Sequence, residues 1–305
     1  MDSSITVLLT GATGFLGSHL LKRLVDKGYN VVILKRSFSN TWRINSCLDK
    51  IKSYDIDIVG IEKPFEEQKI DIVIHTATNY GRKKESVADV VETNLIFSLK
   101  LLETASFFNT DTFFNTDTFF NTDTLLYKYL NHYSLSKKQF VEWLKFFSDK
   151  IKVVNLKVEH MYGPKDDDKK FVSWLISQLL RNVEYIDLTA GEQKRDFIYI
   201  DDVVDAYILL LDNVINFKNT FQEYDVGSGK PIKLKEFVIN VYKEVMKIKK
   251  IDTKLKFGAI PYREGEFMEI DENIEPLLSL GWIPKTSLEE GIKKTIEGFL
   301  NVEAS

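Results

Sequence analysis

The sequence has little that could crosslink the chain, bind a metal or attract a polyanion. Its 305 residues include one cysteine, so no disulfide can form within the chain. The four histidines are widely scattered and suggest no metal site. Lysine and arginine number 41 against 45 aspartates and glutamates, which argues against the basic surface of proteins that bind nucleic acid or anionic membranes. We therefore expect small-molecule partners, no nucleic acid and no membrane.

Long apolar runs are also missing. None is long enough to cross a bilayer, and the N-terminus lacks the basic residues that begin an export signal. A single cysteine fits a reducing compartment, so we expect a cytoplasmic protein. With 44% hydrophobic residues, a chain of 305 residues can bury one large core or two modest ones, and we expect two lobes.

Three glycines near the N-terminus separate a short apolar run from a segment with helical spacing. Gly11, Gly14 and Gly17 lie between a predicted strand at 7–10 and a predicted helix at 15–27. Gly11 would let the chain turn, Gly14 would let the backbone approach a diphosphate, and Gly17 would let the helix pack closely. Because a helix N-terminus favours phosphate, the pattern predicts a dinucleotide site. The candidate contacts are Gly11, Thr13, Gly14, Phe15, Leu16 and Gly17.

Strands and helices alternate after this loop, with predicted strands that include 30–34 and 71–77. This alternation is typical of an α/β fold with a doubly wound parallel sheet of the Rossmann type. The predicted domains are a dinucleotide-binding Rossmann domain over 1–157, to which residues around 193–228 return, and a smaller C-terminal α/β substrate-binding lobe over 158–192 and 229–305.

The end of the second strand indicates which dinucleotide binds. A fold that prefers NAD places a carboxylate here to bind the adenosine ribose, whereas this chain has Lys35 and Arg36. Two cations suit the 2′-phosphate of NADP, so we favour NADP(H) and keep NAD as the alternative. Asp55 or Asp57 is expected to end a third strand near the adenine, and Asp57 is the cofactor-binding candidate. Thr76 and Ala77, at the end of the predicted strand over 71–77, are expected along the cofactor.

One hexamer, Phe-Phe-Asn-Thr-Asp-Thr, occurs three times in succession, at 107–112, 113–118 and 119–124. Three copies are too few for a solenoid, so we expect each to adopt a different local structure. We predict that the first closes the long helix at 86–107 and its turn. The second would form the fifth strand and its end, and the third would be a loop that packs over a cleft.

Tyr133 and Lys137 are four residues apart on a predicted helix that ends near Phe147, so both project from one face. The pair follows five strand–helix units and is expected at the edge of the sheet where the cofactor lies. His75, at the end of the fourth strand, is expected to be a packing residue without chemistry.

Together with the three glycines and Asn94, the pair Tyr133-x-x-x-Lys137 resembles the extended short-chain dehydrogenase/reductase family. This family contains nucleotide-sugar epimerases, dehydratases and reductases. Two later segments, 160–164 and 191–202, match the family's Tyr-Gly-Pro and Arg-Asp-Phe segments. The resemblance therefore spans nearly the whole chain.

A narrower resemblance lies within that family. The segments at 75–81, 158–164 and 257–260, with the Asn-Thr-Asp-Thr unit, are similar to the nucleotide-sugar 4-ketoreductases of the CDP-abequose and CDP-paratose synthase type. Those enzymes form a dideoxyhexose for bacterial surface polysaccharide, the O-antigen of lipopolysaccharide.

The family resemblance implies the roles of the site residues. Tyr133 would be the acid/base, Lys137 would favour its phenolate and hold the nicotinamide ribose, and Asn94 would lie at the cofactor. A threonine at the end of the fifth strand would hydrogen-bond the substrate oxygen. Its spacing from the helix before it and from the tyrosine after it favours Thr116, with Thr122 as the alternative.

The substrate contacts are also implied by the resemblance. The arginine of the Arg-Asp-Phe segment contacts the nucleotide's diphosphate in family members, which indicates Arg195, and Arg263 is a second candidate. Thr78, Asn79 and Tyr80 are further substrate-binding candidates. A homodimer formed by the helices over 86–107 and 133–147 is a family expectation.

The predicted reaction is a reduction. Thr116-Asp117-Thr118 stands where the family's dehydratases carry Thr-Asp-Glu, and the two cations after the second strand argue against the permanently held NAD of the epimerases. We expect NADPH-dependent reduction of the C4 keto group of a nucleotide-linked 4-keto-6-deoxy or 3,6-dideoxy sugar, with a CDP-sugar favoured and Tyr133 protonating the alkoxide. The alternatives are an NAD-retaining epimerase or dehydratase and a non-catalytic nucleotide-sensing protein.

Overall fold

The computed structural model describes residues 5–82, 84–109, 117–217 and 219–303. Its β-strands are β1 (Thr6–Thr10), β2 (Asn30–Lys35), β3 (Lys52–Asp55), β4 (Ile72–His75), β5 (Thr118–Thr124), β6 (Lys152–Val158), β7 (His160–Tyr162), β8 (Tyr185–Leu188), β9 (Lys194–Arg195), β10 (Phe197–Tyr199), β11 (Phe221–Val226), β12 (Ile232–Lys233) and β13 (Lys254–Phe257). Its α-helices are α1 (Phe15–Asp26), α2 (Ile56–Val59), α3 (Lys63–Glu67), α4 (Val87–Val91), α5 (Phe97–Asn109), α6 (His132–Phe147), α7 (Phe171–Leu180), α8 (Ile200–Asn213), α9 (Leu234–Ile248), α10 (Glu275–Ser279) and α11 (Leu288–Glu303).

A seven-stranded sheet organises the first part of the chain, in the order β3-β2-β1-β4-β5-β6-β11. The neighbouring strands from β3 to β6 pair in parallel. The order reverses between β1 and β4, where Thr10 and His75 are register partners. Ligands of doubly wound sheets bind outside the carboxyl ends of the strands at such a reversal. The predicted Rossmann-type α/β fold is confirmed.

The central strands are apolar on both faces because helices cover both sides of a parallel sheet. Leu8, Val73 and Phe119 lie in one buried cluster with Phe140 and Leu144 of α6. All five side chains are fully buried. The tight packing of α6 on β5 brings the start of this helix to the strand ends where the cofactor is expected.

The prediction for the repeated hexamer is wrong in two of its parts. The third copy, 119–124, forms β5, whereas we predicted the second copy there and a loop for the third. Phe119 and Phe120 are fully buried within the sheet, so this Phe-Phe pair fills its core. The first copy does close the long helix, because α5 runs to Asn109. Residues 110–116 lie outside the described part of the chain.

The helix predicted over 86–107 consists of α4 and α5 joined by a π-helical turn at Glu92–Ile96. Ser86 caps its start, since its hydroxyl accepts from the backbone N–H of Asp89 at 3.1 Å and its own N–H donates to the Asp89 carboxylate at 2.9 Å. A π-helical turn inside a longer helix is frequent at functional sites. This one contains Asn94.

The chain divides into two compact units. One comprises the described residues up to Val158 together with Val204–Asp225, and the other comprises Glu159–Val203 and the described residues from Val226 onward. From the sequence we expected residues around 193–228 to return to the first domain. In the second unit β7 pairs with β10, β8 with β13 and β9 with β12. Within the described residues, no helix is long and apolar enough to span a bilayer.

Candidate functional site

The glycine loop between β1 and α1 has the close approaches that its pattern predicts. Gly11 has φ +70°, and a Cβ on it would lie 2.6 Å from the backbone nitrogen of Ala77. A Cβ on Gly17 would lie 2.1 Å from the carbonyl oxygen of Gly11. Gly14 donates its N–H to that same oxygen at 2.9 Å and precedes the first turn of α1. Only glycine fits at 11 and 17, so the loop has the shape of a diphosphate cradle.

The end of β4 is fastened to the end of β1 beside this cradle. The Thr76 hydroxyl donates to the carbonyl of Thr10 at 2.8 Å, and the N–H of Ala77 donates to the Thr10 hydroxyl at 3.3 Å. His75 is fully buried, with ring nitrogens 2.8 Å from the hydroxyls of Thr10 and Ser98. Burial holds the pKa of His75 well below its usual value of 6.5, so the ring is neutral and serves packing.

The end of β2 carries the predicted cations, and the structure separates their roles. The Lys35 ammonium pairs with the carboxylate of Asp55, the last residue of β3. Asp57 accepts from the N–H of Ser37 at 2.8 Å and from its hydroxyl at 2.7 Å, and these bonds hold the pKa of Asp57 below its usual value. The charge of Lys35 is therefore already matched by a carboxylate.

Arginine side chains supply further positive charge near the cradle. Arg36 is exposed, with its guanidinium 4.8 Å from the ring centroid of Phe38. Arg43 lies 4.5 Å from the ring centroid of Trp42 and donates to the carbonyl of Thr13 at 3.3 Å. Sequence analysis missed Arg43, because its irregular, polar surroundings gave no indication that the chain returns to the glycine loop.

Asn94 joins two parts of the site. Its amide group donates to the carbonyl of Asn79 at 2.8 Å and to the Ser136 hydroxyl at 3.1 Å. Its side-chain oxygen accepts from the N–H of Asn79 at 2.7 Å and from the Thr78 hydroxyl at 3.2 Å. Asn94 is fully buried, so these bonds fasten the loop after β4 to α6. Ser136 was also missed from the sequence.

Tyr133 lies in the first turn of α6. Asn131 caps this helix by accepting from the N–H of Ser134 at 2.9 Å. The Tyr133 ring lies 4.9 Å from the ring of Tyr80, and the Thr78 side chain acts to lower the pKa of the Tyr133 phenol. Tyr80, which was predicted to bind substrate, thus contacts the predicted acid/base directly.

Burial sets the protonation of Tyr133 and Lys137. It raises the pKa of Tyr133 well above 10, with Tyr80 and Asp123 adding to the rise and Arg82 opposing it. Burial also lowers the pKa of Lys137 to about 8, an effect that Asp123 opposes. Near neutral pH the phenol keeps its proton and Lys137 remains mostly charged. Sequence analysis did not single out Arg82 or Asp123.

The hydroxyl at the end of β5 is provided by the third hexamer. Thr122 lies two residues before the strand's end, and its hydroxyl is 2.6 Å from that of Tyr207 on α8. Thr124 ends the strand and accepts from the N–H of Leu126 at 3.2 Å. Thr116 lies outside the described residues, and its role stays a prediction.

The predicted phosphate contacts belong to the second unit. Arg195 pairs with the carboxylate of Glu266 and donates to the carbonyl of Phe267 at 2.8 Å. Arg263 is exposed, and its carbonyl accepts from the N–H of Glu266 at 3.1 Å. Both arginines therefore contact the same acidic residue, one through its side chain and one through the backbone.

Known proteins match most or nearly all of the chain. The model of the NAD dependent epimerase/dehydratase family matches residues 7–227. CDP-abequose synthase of Salmonella muenchen is 35% identical over 299 residues, which cover 97% of this chain and 98% of that protein.

Two crystal structures of UDP-glucose 4-epimerases share the fold. The enzyme from Thermotoga maritima with UDP-glucose has a TM-score of 0.81 at 25% identity, and the match covers 98% of this chain and 100% of that enzyme. The enzyme from Thermus thermophilus in complex with NAD has a TM-score of 0.79 at 24% identity, and the match covers 97% of this chain and 99% of that enzyme.

Proposed function

Because the chain belongs to the NAD dependent epimerase/dehydratase family, we propose that it is an NADPH-dependent reductase of the C4 keto group of a CDP-linked sugar. The family membership predicted from Tyr133-x-x-x-Lys137 and the glycine loop is confirmed, and the chain is an NAD(P)-dependent oxidoreductase-type enzyme. The proposal adds the cofactor, the direction of reaction and the class of sugar.

The similarity to CDP-abequose synthase carries the proposal. It extends over 97% of this chain at 35% identity, whereas the two UDP-glucose 4-epimerases that match as much of the chain are 24% and 25% identical. The name of that relative contains a CDP-sugar, which favours a cytidine nucleotide for this chain. The product would be a deoxy sugar for a bacterial surface polysaccharide.

Tyr133 has the protonation state that a reductase needs. Reduction of a ketone forms an alkoxide, which must take a proton, and burial keeps a proton on the Tyr133 phenol because it raises the pKa well above 10. When bound, NADPH supplies the hydride for the carbonyl carbon. Tyr133 would then deliver its proton to the carbonyl oxygen. The Arg82 charge favours the phenolate that remains, and the family resemblance implies the same role for Lys137.

Thr122 is our candidate for the hydroxyl that orients the substrate oxygen. Burial raises the pKa of Tyr207 above its usual value, so its hydroxyl stays protonated and can donate to Thr122. With Tyr207 as donor, the Thr122 proton would be available for the substrate oxygen. Thr116, which the sequence spacing favours, remains the alternative. The variants Thr122→Val and Thr116→Val distinguish the two, because only loss of the orienting hydroxyl should lower kcat.

The glycine cradle fits a dinucleotide, and the cations nearby favour NADP. Space for a side chain is lacking at both Gly11 and Gly17, as expected where backbone approaches a diphosphate. Arg36 and Arg43 are the guanidinium groups that could bind a 2′-phosphate, since Lys35 pairs with Asp55. We assign the stronger role to Arg43, because its hydrogen bond to Thr13 holds it beside the loop.

The end of β5 argues against dehydration. Its last residues are Thr122-Asp123-Thr124, so a threonine occupies the position of the glutamate in the family's dehydratases. Asp123 is bonded to Lys138 at 2.7 Å and is not set up to donate a proton. Sequence analysis drew the same conclusion from Thr116-Asp117-Thr118. The conclusion still holds with the third hexamer in β5, because the hexamers have identical sequences.

The nucleotide's diphosphate would bind to the arginines of the second unit. Arg195 has its guanidinium on Glu266, so an arriving diphosphate would exchange with that carboxylate. Arg263 is exposed, so its guanidinium can reach a ligand that arrives from solvent. Thr78, Asn79 and Tyr80 remain candidates for contacts with the sugar.

We also propose a homodimer, as expected for the family, through the helices that include α6. Trp143 and Phe146 on α6 are 42% and 67% exposed, with their rings 6.1 Å apart. Large aromatic side chains exposed together are frequent at protein interfaces. Light scattering tests this directly, and a monomeric mass would remove the dimer from the account.

The experiment that tests the function is a reductase assay. Purified protein is mixed with NADPH or NADH and with CDP-4-keto-3,6-dideoxyglucose or dTDP-4-keto-6-deoxyglucose, and loss of reduced nicotinamide is followed by absorbance. We expect oxidation of NADPH with the CDP-sugar. No oxidation with either sugar, together with NAD that stays bound through purification, would replace the reductase by an epimerase.

A further inference from the structure

The turn after β2 presents two hydrogen-bond donors to one carboxylate. In this turn the N–H of Ser39 donates to the carbonyl of Arg36 at 2.9 Å, and the N–H of Arg36 donates to the Ser39 hydroxyl at 3.1 Å. Between these residues, the N–H and the hydroxyl of Ser37 donate to separate oxygens of the Asp57 carboxylate, at 2.8 Å and 2.7 Å. Both donors of Ser37 therefore hold an anionic group that belongs to the chain itself.

This carboxylate lies where dinucleotide folds distinguish their two cofactors. The end of the second strand contacts the 2′ position of the adenosine ribose, with a carboxylate for NAD or with cations for the 2′-phosphate of NADP. Here β2 ends at Lys35 and Arg36 follows, which favours NADP. Asp57 comes from α2, after the neighbouring strand β3, and its bonds to Ser37 bring a carboxylate to the same place. The residues at the end of β2 do not by themselves indicate this negative charge.

The donors of Ser37 also suit phosphate oxygens, because a backbone N–H and a hydroxyl bind either kind of anion. A 2′-phosphate that used them would have to displace the Asp57 carboxylate, and the two anions repel each other. Hydrogen bonds from Ser37 hold the pKa of Asp57 below its usual value, so the carboxylate is charged at neutral pH. Asp57 is exposed and can turn into water, but its bonds to Ser37 must break first.

We propose that Asp57 is a specificity-determining residue that opposes the 2′-phosphate of NADPH by holding both donors of Ser37. This inference rests on the dinucleotide site of the proposed function. Arg43 favours NADPH and Asp57 works against it, so the preference for NADPH over NADH is narrower than the cations after β2 indicate. Asp57 acts on the adenosine end of the cofactor and takes no part in proton transfer.

Binding of NADPH and NADH tests the proposal without turnover. The two cofactors differ in the 2′-phosphate, so the ratio of their dissociation constants isolates the effect on that group. Asp57→Ala removes the charge and the acceptor oxygens, so the ratio should shift toward NADPH by about fivefold or more, the effect of one unit charge about 4 Å away in water. Added salt should reduce the shift, because the charge is exposed to solvent.

Two further variants separate the role of Ser37 from that of charge alone. Asp57→Glu keeps the charge and should leave the ratio close to that of the wild type. Ser37→Ala removes one of the two donors, so Asp57→Ala should shift the ratio less in the Ser37→Ala background than in the wild type. Thermal unfolding checks that each variant is folded.

The binding ratios are independent of the reductase assay. If the wild type reduces neither sugar while Asp57→Ala shifts the ratio as expected, the proposed reaction fails and the role of Asp57 holds. A ratio that stays unchanged in Asp57→Ala would overturn the proposal. The same conclusion follows if Asp57→Ala gives an equal shift with and without the Ser37 hydroxyl.

Discussion

The rings of Tyr80 and Tyr133 pack against each other in a tilted arrangement, with centroids 4.9 Å apart and planes at 34°. The Arg82 guanidinium lies 4.8 Å from the centroid of the same Tyr80 ring. Tyr80 and Arg82 come from the loop after β4, which Asn94 fastens to α6 through Asn79. The position of the phenol is therefore determined by this loop as well as by the helix that carries it.

Removing the Tyr80 ring should slow the reaction. Aromatic pairs contribute about 0.5–1.5 kcal/mol beyond the area they bury, so Tyr80→Ala should lower kcat by about two- to tenfold. Tyr80→Phe keeps the ring and should stay close to the wild-type rate. Steady-state kinetics of the two variants check this, and equal rates for Tyr80→Ala and wild type would show that the ring contact does not position Tyr133.

Arg43 should determine the preference for NADPH over NADH. A hydrogen bond to a charged group contributes about 1.5–3 kcal/mol, so Arg43→Ala should weaken NADPH binding by about tenfold or more. NADH lacks the 2′-phosphate, and its affinity should not change. Quenching of protein fluorescence by each cofactor measures both constants.

Lys35→Met is the control variant for Arg43→Ala, because it removes the other type of cation near the glycine loop. Lys35 pairs with Asp55, so its loss should lower the melting temperature without separating the two cofactors. If Lys35→Met removes the NADPH preference while Arg43→Ala does not, our assignment of the two cations is reversed.

Gly17 should tolerate no side chain. A Cβ there would lie 2.1 Å from the carbonyl oxygen of Gly11, so Gly17→Ala should cost about 1–3 kcal/mol and abolish tight cofactor binding. Gly28 is a useful control because it has φ +84° but no atom within 4 Å of a Cβ. Gly28→Ala should cost about 1–2 kcal/mol through backbone strain and leave cofactor affinity intact. Equal affinities in both variants would contradict the account of the cradle.

His75 should make stability depend on pH below about 6.5. Its pKa is lowered in the folded protein, so the unfolded chain binds a proton first as the pH falls. Stability is fully present above about pH 6.5 and declines toward pH 5, by up to about 1.4 kcal/mol per pH unit. Urea unfolding of wild type and His75→Gln should show this slope in the wild type and a smaller slope in the variant.

The sequence identified the fold well because its local signals agree with each other. The apolar run before Gly11, the three glycines and the helical spacing after them all indicate one strand–turn–helix unit. In the structure Gly11 has the positive φ of a turn, and α1 follows. Tyr133 and Lys137 were also identifiable, since their four-residue spacing on a helix is a local property. These features need no knowledge of distant contacts.

The repeated hexamer shows where such reasoning ends. Three identical copies have identical local propensities, so only pairing with other strands can decide which one enters the sheet. Thr118 pairs with both Ile72 and Lys152, and that register places the third copy in β5. Arg43 and Arg82 were missed for a similar reason. Arg43 acts on Thr13 and Arg82 acts on Tyr133, and no local sequence pattern indicates either long-range interaction.

The central claim is that Tyr133 protonates a substrate reduced by NADPH. Its most direct test compares wild type with Tyr133→Phe in a single turnover with NADPH and CDP-4-keto-3,6-dideoxyglucose, after equal NADPH affinity has been established for both. We predict that the wild type oxidises NADPH and forms the 4-hydroxy sugar, whereas Tyr133→Phe binds NADPH and forms almost none. Product formation by Tyr133→Phe at the wild-type rate would contradict the account.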